Sequence, residues 1–179
     1  ARRNAKRLHG DPDRIAVLGG SAGGHLAALV AATINNPDFE GTDNHMEVSS
    51  AVQAAVVMCA VLDFHNEFVM ANIEKVLSSG GVSSHVEFLG ATPSEDPELY
   101  THASPLTHIG KSMPPSLFID GEFDRPRVRY SKAWEKMDEL GIFHEFVLME
   151  MGPHAFWNRD LWFEDTVDAV HRFLAKQLN

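Results

Sequence analysis

The run Ile15-Ala-Val-Leu-Gly19-Gly20-Ser21-Ala22-Gly23-Gly24-His25-Leu26 constrains this chain more than any other stretch. Apolar residues suited to a buried strand break into glycines around one serine, and Leu26, Leu29 and Val30 then recur at helical spacing. Gly19, Ser21 and Gly23 form a G-x-S-x-G nucleophile elbow. Such a turn holds its serine at a strained backbone angle, with Oγ clear of the sheet and the next N–H, that of Ala22, free to face a developing oxyanion. Gly19 and Gly23 are expected to let strand and helix close without a Cβ clash, and Gly20 and Gly24 to loosen the same corner. The competing reading is a glycine-rich turn that binds phosphate on its helix N-terminus. The run lacks the Lys of a P-loop and the full G-x-G-x-x-G of a dinucleotide site.

Apolar strand-like runs alternate with amphipathic stretches along the rest of the chain, which predicts an α/β fold with a parallel sheet covered by helices on both faces. Strands are expected at 14–18, 51–62, 116–120 and 144–150, and helices at about 23–34, 129–140 and 161–177. Tyr130, Trp134, Met137 and Leu140 in one helix, and Trp162, Thr166, Val170, Phe173 and Leu174 in the last, repeat at core spacing. Residues 1–9 read as the closing turns of a helix, with the natural N-terminus expected to be absent. The 179 residues, 44% of them apolar, suit a single domain, 1–179, with a cap-like insertion at about 63–113.

A net charge of −10 argues against nucleic acid and anionic membrane surfaces as partners. The basic cluster Arg2, Arg3, Lys6 and Arg7 reads as a solvated face. From Asp63 to Ser104 the insertion sets seven acids against Lys75 alone, so a neutral or sugar-linked substrate suits it better than an anionic one. No apolar stretch reaches the roughly 18 to 20 residues of a membrane span. The lone Cys59 lies in an apolar run, reads as a buried structural thiol and does not fix the compartment.

A serine hydroxyl needs a base, and the base needs an orienting acid. Asp124 follows the strand 116–120 and His154 follows the strand 144–150, both at the carboxyl end of the sheet where Ser21 also projects. The order Ser, Asp, His is the one such a sheet uses. Asp120 and Glu122 are the rival acids, Asp120 still belonging to its strand, and His25 is assigned packing or hydrogen bonding. With no H-E-x-x-H or Cys/His grouping, neither a metal nor a cofactor is expected.

Asp11-Pro-Asp-Arg-Ile-Ala-Val-Leu-Gly-Gly-Ser-Ala-Gly-Gly-His-Leu-Ala resembles the elbow of the acetylesterase/lipase-type α/β-hydrolases, the hormone-sensitive-lipase-like carboxylesterases and acetyl xylan or feruloyl esterases among them. Phe88-Leu-Gly-Ala-Thr-Pro, Ala103-Ser-Pro-Leu-Thr, Pro114-Pro-Ser-Leu-Phe-Ile-Asp-Gly-Glu-Phe-Asp and Gly152-Pro-His-Ala-Phe extend the likeness over nearly the whole chain. The resemblance implies a three-layer α/β-hydrolase fold. Ser21, Asp124 and His154 match the family's nucleophile, acid and base, and Ala22 one oxyanion donor. It implies a serine carboxylesterase acting on short-chain acyl esters, acetyl or sugar-linked, with thioester or amide hydrolysis as a neighbouring activity. Two features depart from the family. The loop after Asp124 reads Arg125-Pro-Arg-Val-Arg129 where many relatives have a shorter apolar-and-proline turn. The family's preceding strands and His-Gly-Gly-Gly oxyanion loop have no counterpart in these residues, and one lost donor costs about 100- to 1000-fold in rate. The expected consequence is a bare edge on the elbow strand, completed by a missing N-terminal segment or by a homo-oligomer, and the alternative function is that of a noncatalytic or partner-dependent fragment.

Overall fold

The computed structural model describes residues 1–42 and 47–179. Its sheet has four parallel strands in the order β1 (Ala16–Gly20), β2 (Ala54–Met58), β3 (Ser116–Gly121) and β4 (His144–Met149). Every residue of β2 and β3 is buried, as expected for strands covered on both faces. Side chains alternate across the sheet. Ala55, Val57 and Phe118 pack with Ala28 and Ala31 of α1 (Ala22–Ala32) and with Tyr130 and Met137. Ala54, Val56 and Met58 point the other way, to Phe156 and Phe173. Helices α6 (Pro126–Leu140) and α1 thus share one face, and α7 (Asp160–Gln177) covers the other. No helix among the described residues is long and apolar enough to cross a membrane.

Between β2 and β3 run α2 (Glu67–Ser78), α3 (Ser84–Leu89), α4 (Pro97–Ala103) and α5 (Pro105–His108). Asn66 and Asp96 cap α2 and α4, their side chains accepting from the N–H groups of Phe68 and Leu99. Phe64, Val69, Ile73, Tyr100 and Ala103 form a separate cluster beneath these helices.

Several boundaries differ from the sequence reading for identifiable reasons. β1 extends through Gly19 and Gly20, which pair with Val57 and Met58 although glycines ordinarily signal a turn. β2 stops at Met58 because Cys59 takes a left-handed backbone (φ 47°). α6 begins earlier, at Pro126, whose fixed φ suits the first helical position. Residues 1–9 are two 3₁₀ turns, Arg2–Asn4 and Lys6–Leu8, because only Ala5 is buried there and no apolar stripe supports a longer helix. Arg3, Lys6 and Arg7 are exposed, and the half-buried Arg2 donates through Nε to the Ser49 carbonyl at 3.0 Å.

β1 lies at the sheet edge with β2 as its one strand neighbour among the described residues, and Leu18 is 51% exposed. The elbow's glycines divide their work differently from the expectation. A Cβ on Gly19 would collide with the Gly23 carbonyl, and one on Gly24 would sit 2.5 Å from the Met58 carbonyl oxygen, whereas Gly23 faces open space. Gly20 gives room to the Trp157 ring. Gly23→Ala should therefore keep or gain stability, by up to about 1 kcal/mol in a helix. Gly19→Ala should lose at least about 2 kcal/mol through backbone overpacking. Urea unfolding of the two variants checks this, and equal effects would contradict the geometry.

Candidate active site

Ser21 occupies the N-cap position of α1 at φ 57° and ψ −120°. An N-cap serine ordinarily spends its hydroxyl on the backbone N–H two or three residues on. Here no such bond forms, and Oγ lies 2.8 Å from His154 Nε2. The Ser21 N–H donates to the Met58 carbonyl at 2.8 Å, tying the turn to β2. Ala22 opens the helix, so its N–H belongs to the first turn, where no intrahelical carbonyl accepts.

The candidate base His154 and candidate acid Asp124 stand on two loops zipped together at the ends of β3 and β4. A Cβ at Gly121 would collide with the Gly152 carbonyl, so the backbones approach as only glycine permits. The Phe123 N–H donates to the Gly152 carbonyl at 3.1 Å, and the Glu122 carboxylate accepts the Met151 N–H at 2.8 Å. This brings His154 Nδ1 to 2.8 Å from Asp124 Oδ2. Asp124, His154 and Ser21 thereby form one unbroken hydrogen-bonded chain. The rival acids are occupied elsewhere, Glu122 in the loop contact and Asp120 at the end of β3, where Oδ2 accepts the Cys59 N–H at 3.1 Å.

Of the seven non-glycine residues with positive φ among the described residues, five, Ser21, Cys59, Arg125, Met151 and Ala155, stand at or just beyond the carboxyl ends of the four strands. Such conformations persist only where surrounding structure holds them, and they gather at functional sites. His25 takes the packing role expected of it. It is 4% exposed, its Nε2 lies 2.8 Å from the Ala103 carbonyl oxygen, and its ring meets Phe64 and Phe88 edge-on. Burial lowers its pKa, the Ala103 carbonyl opposing this.

Two further residues touch this chain of groups without any motif having marked them. Arg129, on the first turn of α6, lies 3.7 Å from Asp124 Oδ1 and also donates to the Ala60 carbonyl. The nearest sequence signal was the arginine-rich departure after Asp124. Cys59 places its thiol so that ligand atoms of Cys59, Asp124 and His154 all lie within 4.8 Å of one another. The three are the one such cluster among the described residues, yet Asp124 and His154 already bond each other. Burial raises the thiol's pKa strongly and the Asp120 and Asp124 charges add to this, so the group suits donation to a carboxylate better than metal ligation.

A cavity of about 640 Å³ opens over Ser21 and His154, walled largely by apolar side chains such as Phe64, Phe68, Val69 and Phe88. The acids counted from Asp63 to Ser104 do not line it. Its charged lining is Asp124, Arg125 and Arg129, so the insertion's negative charge does not reach the cavity wall as the sequence suggested.

A parallel sheet whose strand ends carry a serine elbow, an acid loop and a histidine loop defines the α/β-hydrolase fold. The BD-FAE family model matches residues 1–139, and the chain belongs to that family. From Mycobacterium tuberculosis (strain ATCC 25618 / H37Rv), the probable carboxylic ester hydrolase LipM is 34% identical over 121 residues, 64% of this chain and 25% of LipM. Esterase LipQ from the same organism is 35% identical over 132 residues, 69% of this chain and 27% of LipQ. The propionate-bound thermophilic esterase Est2 of Thermogutta terrifontis superposes with a TM-score of 0.68 at 29% identity, covering 98% of this chain and 60% of that one. A truncated carbohydrate esterase from gut microbiota shares the fold at a TM-score of 0.76 and 24% identity, over 98% of this chain and 64% of that one. The chain thus spans about a quarter of the length of these curated relatives.

Asp120 supplies a test of the electrostatics beneath the site. Burial lifts its carboxyl from the ordinary 3.8 to about 6, with Tyr130 and Arg129 pulling the other way. A raised carboxyl pKa means that the folded chain holds a proton the unfolded chain releases, so the associated stability is full below pH 3.8 and lost as pH rises through about 6. The unfolding free energy of the wild type minus that of Asp120→Asn should therefore fall between about pH 4 and pH 7. A difference that stays flat across that range would contradict this assignment.

Proposed function

We propose that this chain carries the site of a serine carboxylesterase that hydrolyses short-chain acyl esters, acetyl or sugar-linked esters among them, through an acyl-enzyme on Ser21. The observation that carries the reading is the unbroken chain from Asp124 through His154 to a serine oxygen held on a strained turn. In this mechanism His154 Nε2 takes the Ser21 proton as Oγ attacks the ester carbonyl. Asp124, bonded to Nδ1, holds the tautomer that leaves Nε2 free to accept and stabilises the imidazolium that forms. The Ala22 N–H faces the oxyanion. His154 then gives its proton to the leaving alcohol; water next attacks the acyl-enzyme as His154 takes its proton, the bond to Ser21 Oγ breaks, the acid departs and the proton returns to Oγ. The esterase relatives support the ester as substrate.

A second reading is favoured by one observation. Ala22 is the only oxyanion donor assigned among the described residues, while the edge of β1 beside it is unpaired. On that reading the chain keeps the side that bears nucleophile, base and acid, and turns over only when a partner segment or second chain completes the hole across that edge.

The two readings part on a p-nitrophenyl acetate assay of the wild type beside Ser21→Ala. The first expects hydrolysis that Ser21→Ala lowers by at least about 1000-fold. No turnover in either protein would favour the partner-dependent reading, and equal turnover in both would overturn the role given to Ser21.

A further inference from the structure

One charged group on the cavity wall, the exposed Arg125, has neither an ionic nor a hydrogen-bonded side-chain partner among the described residues. Asp124 is engaged by His154 and Arg129, and Arg129 by Asp124 and the Ala60 carbonyl. Arg125 makes neither an ion pair nor a side-chain hydrogen bond among the described residues, and its guanidinium lies 5.5 Å from the centre of the Phe68 ring. An arginine carries five N–H donors in its plane, and packing against an aromatic face leaves those edges free to take a carboxylate in bidentate fashion. Asn72, one turn beyond Phe68 on α2, faces the same cavity with its amide also unpartnered among the described residues.

The backbone beneath Arg125 is fixed. Its carbonyl accepts the N–H groups of Val128 at 3.1 Å and Arg129 at 3.2 Å, and Pro126 follows at the start of α6. The backbone from which the Arg125 side chain extends is therefore held immediately after Asp124. The cavity onto which Ser21 opens is lined by Phe64, Val69 and Phe88 as well as by this cation. The chain's net charge of −10 does not cancel a local pairing, because exposed charges farther than about 8 Å are largely screened at physiological salt.

We propose that Arg125 is a specificity-determining residue that receives a carboxylate carried by the substrate, so that the preferred esters bear an anionic group on the part lodged in the cavity. The proposal rests on the ester-hydrolase reading, and its test separates the two. 4-Acetoxybenzoate and its neutral isostere 4-acetoxybenzamide place a carboxylate or an uncharged amide at the same distance from one acetyl ester. The wild type should favour the anion in kcat/KM by about tenfold, the size of a hydrogen bond to a charged group. The ratio should fall towards one in Arg125→Gln, survive in part in Arg125→Lys, and shrink for the wild type at 1 M salt, a comparison that needs no variant.

If the amide isostere is hydrolysed in a Ser21-dependent way but the wild-type ratio is one, or Arg125→Gln leaves the ratio intact, the Arg125 proposal falls and the esterase reading stands. If neither ester is turned over, the reading of the chain as an esterase on its own falls in favour of the partner-dependent one. Calorimetric binding of the unreactive 4-acetamidobenzoate and 4-acetamidobenzamide then decides: tighter binding of the anion that Arg125→Gln abolishes supports the anion site, and equal binding overturns it.

Discussion

The site depends on how closely backbone approaches backbone at the carboxyl edge of the sheet. At one place β1 turns into α1 with Gly19 against the Gly23 carbonyl and Gly24 against the carbonyl of Met58. At another the loops after β3 and β4 meet at Gly121 and Gly152. Side chains are excluded from both contacts, so neither can be loosened by repacking. The first contact fixes Ser21 in a conformation that denies its hydroxyl the usual capping bond. The second fixes Asp124 and His154 on loops bonded to each other. The 2.8 Å spacings between the three side chains follow from these two contacts, which rest in turn on the buried strands β2 and β3.

The same contacts explain what was legible in the sequence. Ser21, Asp124 and His154 could be chosen because each follows a strand-like apolar run, and a parallel sheet delivers such positions to one edge. The parallel sheet and the two helical layers followed from the alternation of apolar runs and amphipathic stretches. The glycine roles were less legible, since nothing in G-x-S-x-G says which glycine meets a carbonyl, and Gly23 turned out to face open space. Arg129 and Cys59 carried no motif. Their closeness to Asp124 depends on where α6 begins and where β2 ends, and both boundaries shift with a single proline or a single left-handed residue.

Charge shows the same limit. Summed along the chain, the segment between β2 and β3 is acidic, yet the acids of its helices lie off the cavity wall, and the cations there, Arg125 and Arg129, come from the loop and first turn after Asp124. Composition reports the field of the whole surface, whereas a site reads only the few groups whose side chains reach it. One of those arginines holds the carboxylate that holds the histidine. The other lines the cavity with its donors unpaired among the described residues.

The most direct test of the central claim is whether Ser21 is the reactive nucleophile. The protein is treated with a p-nitrophenyl alkylphosphonate, which loses p-nitrophenolate as a serine oxygen bonds to phosphorus, and the modified peptide is found by mass spectrometry. The account predicts a single adduct, on Ser21, that disappears in His154→Ala. No adduct, or one on another residue, would contradict it.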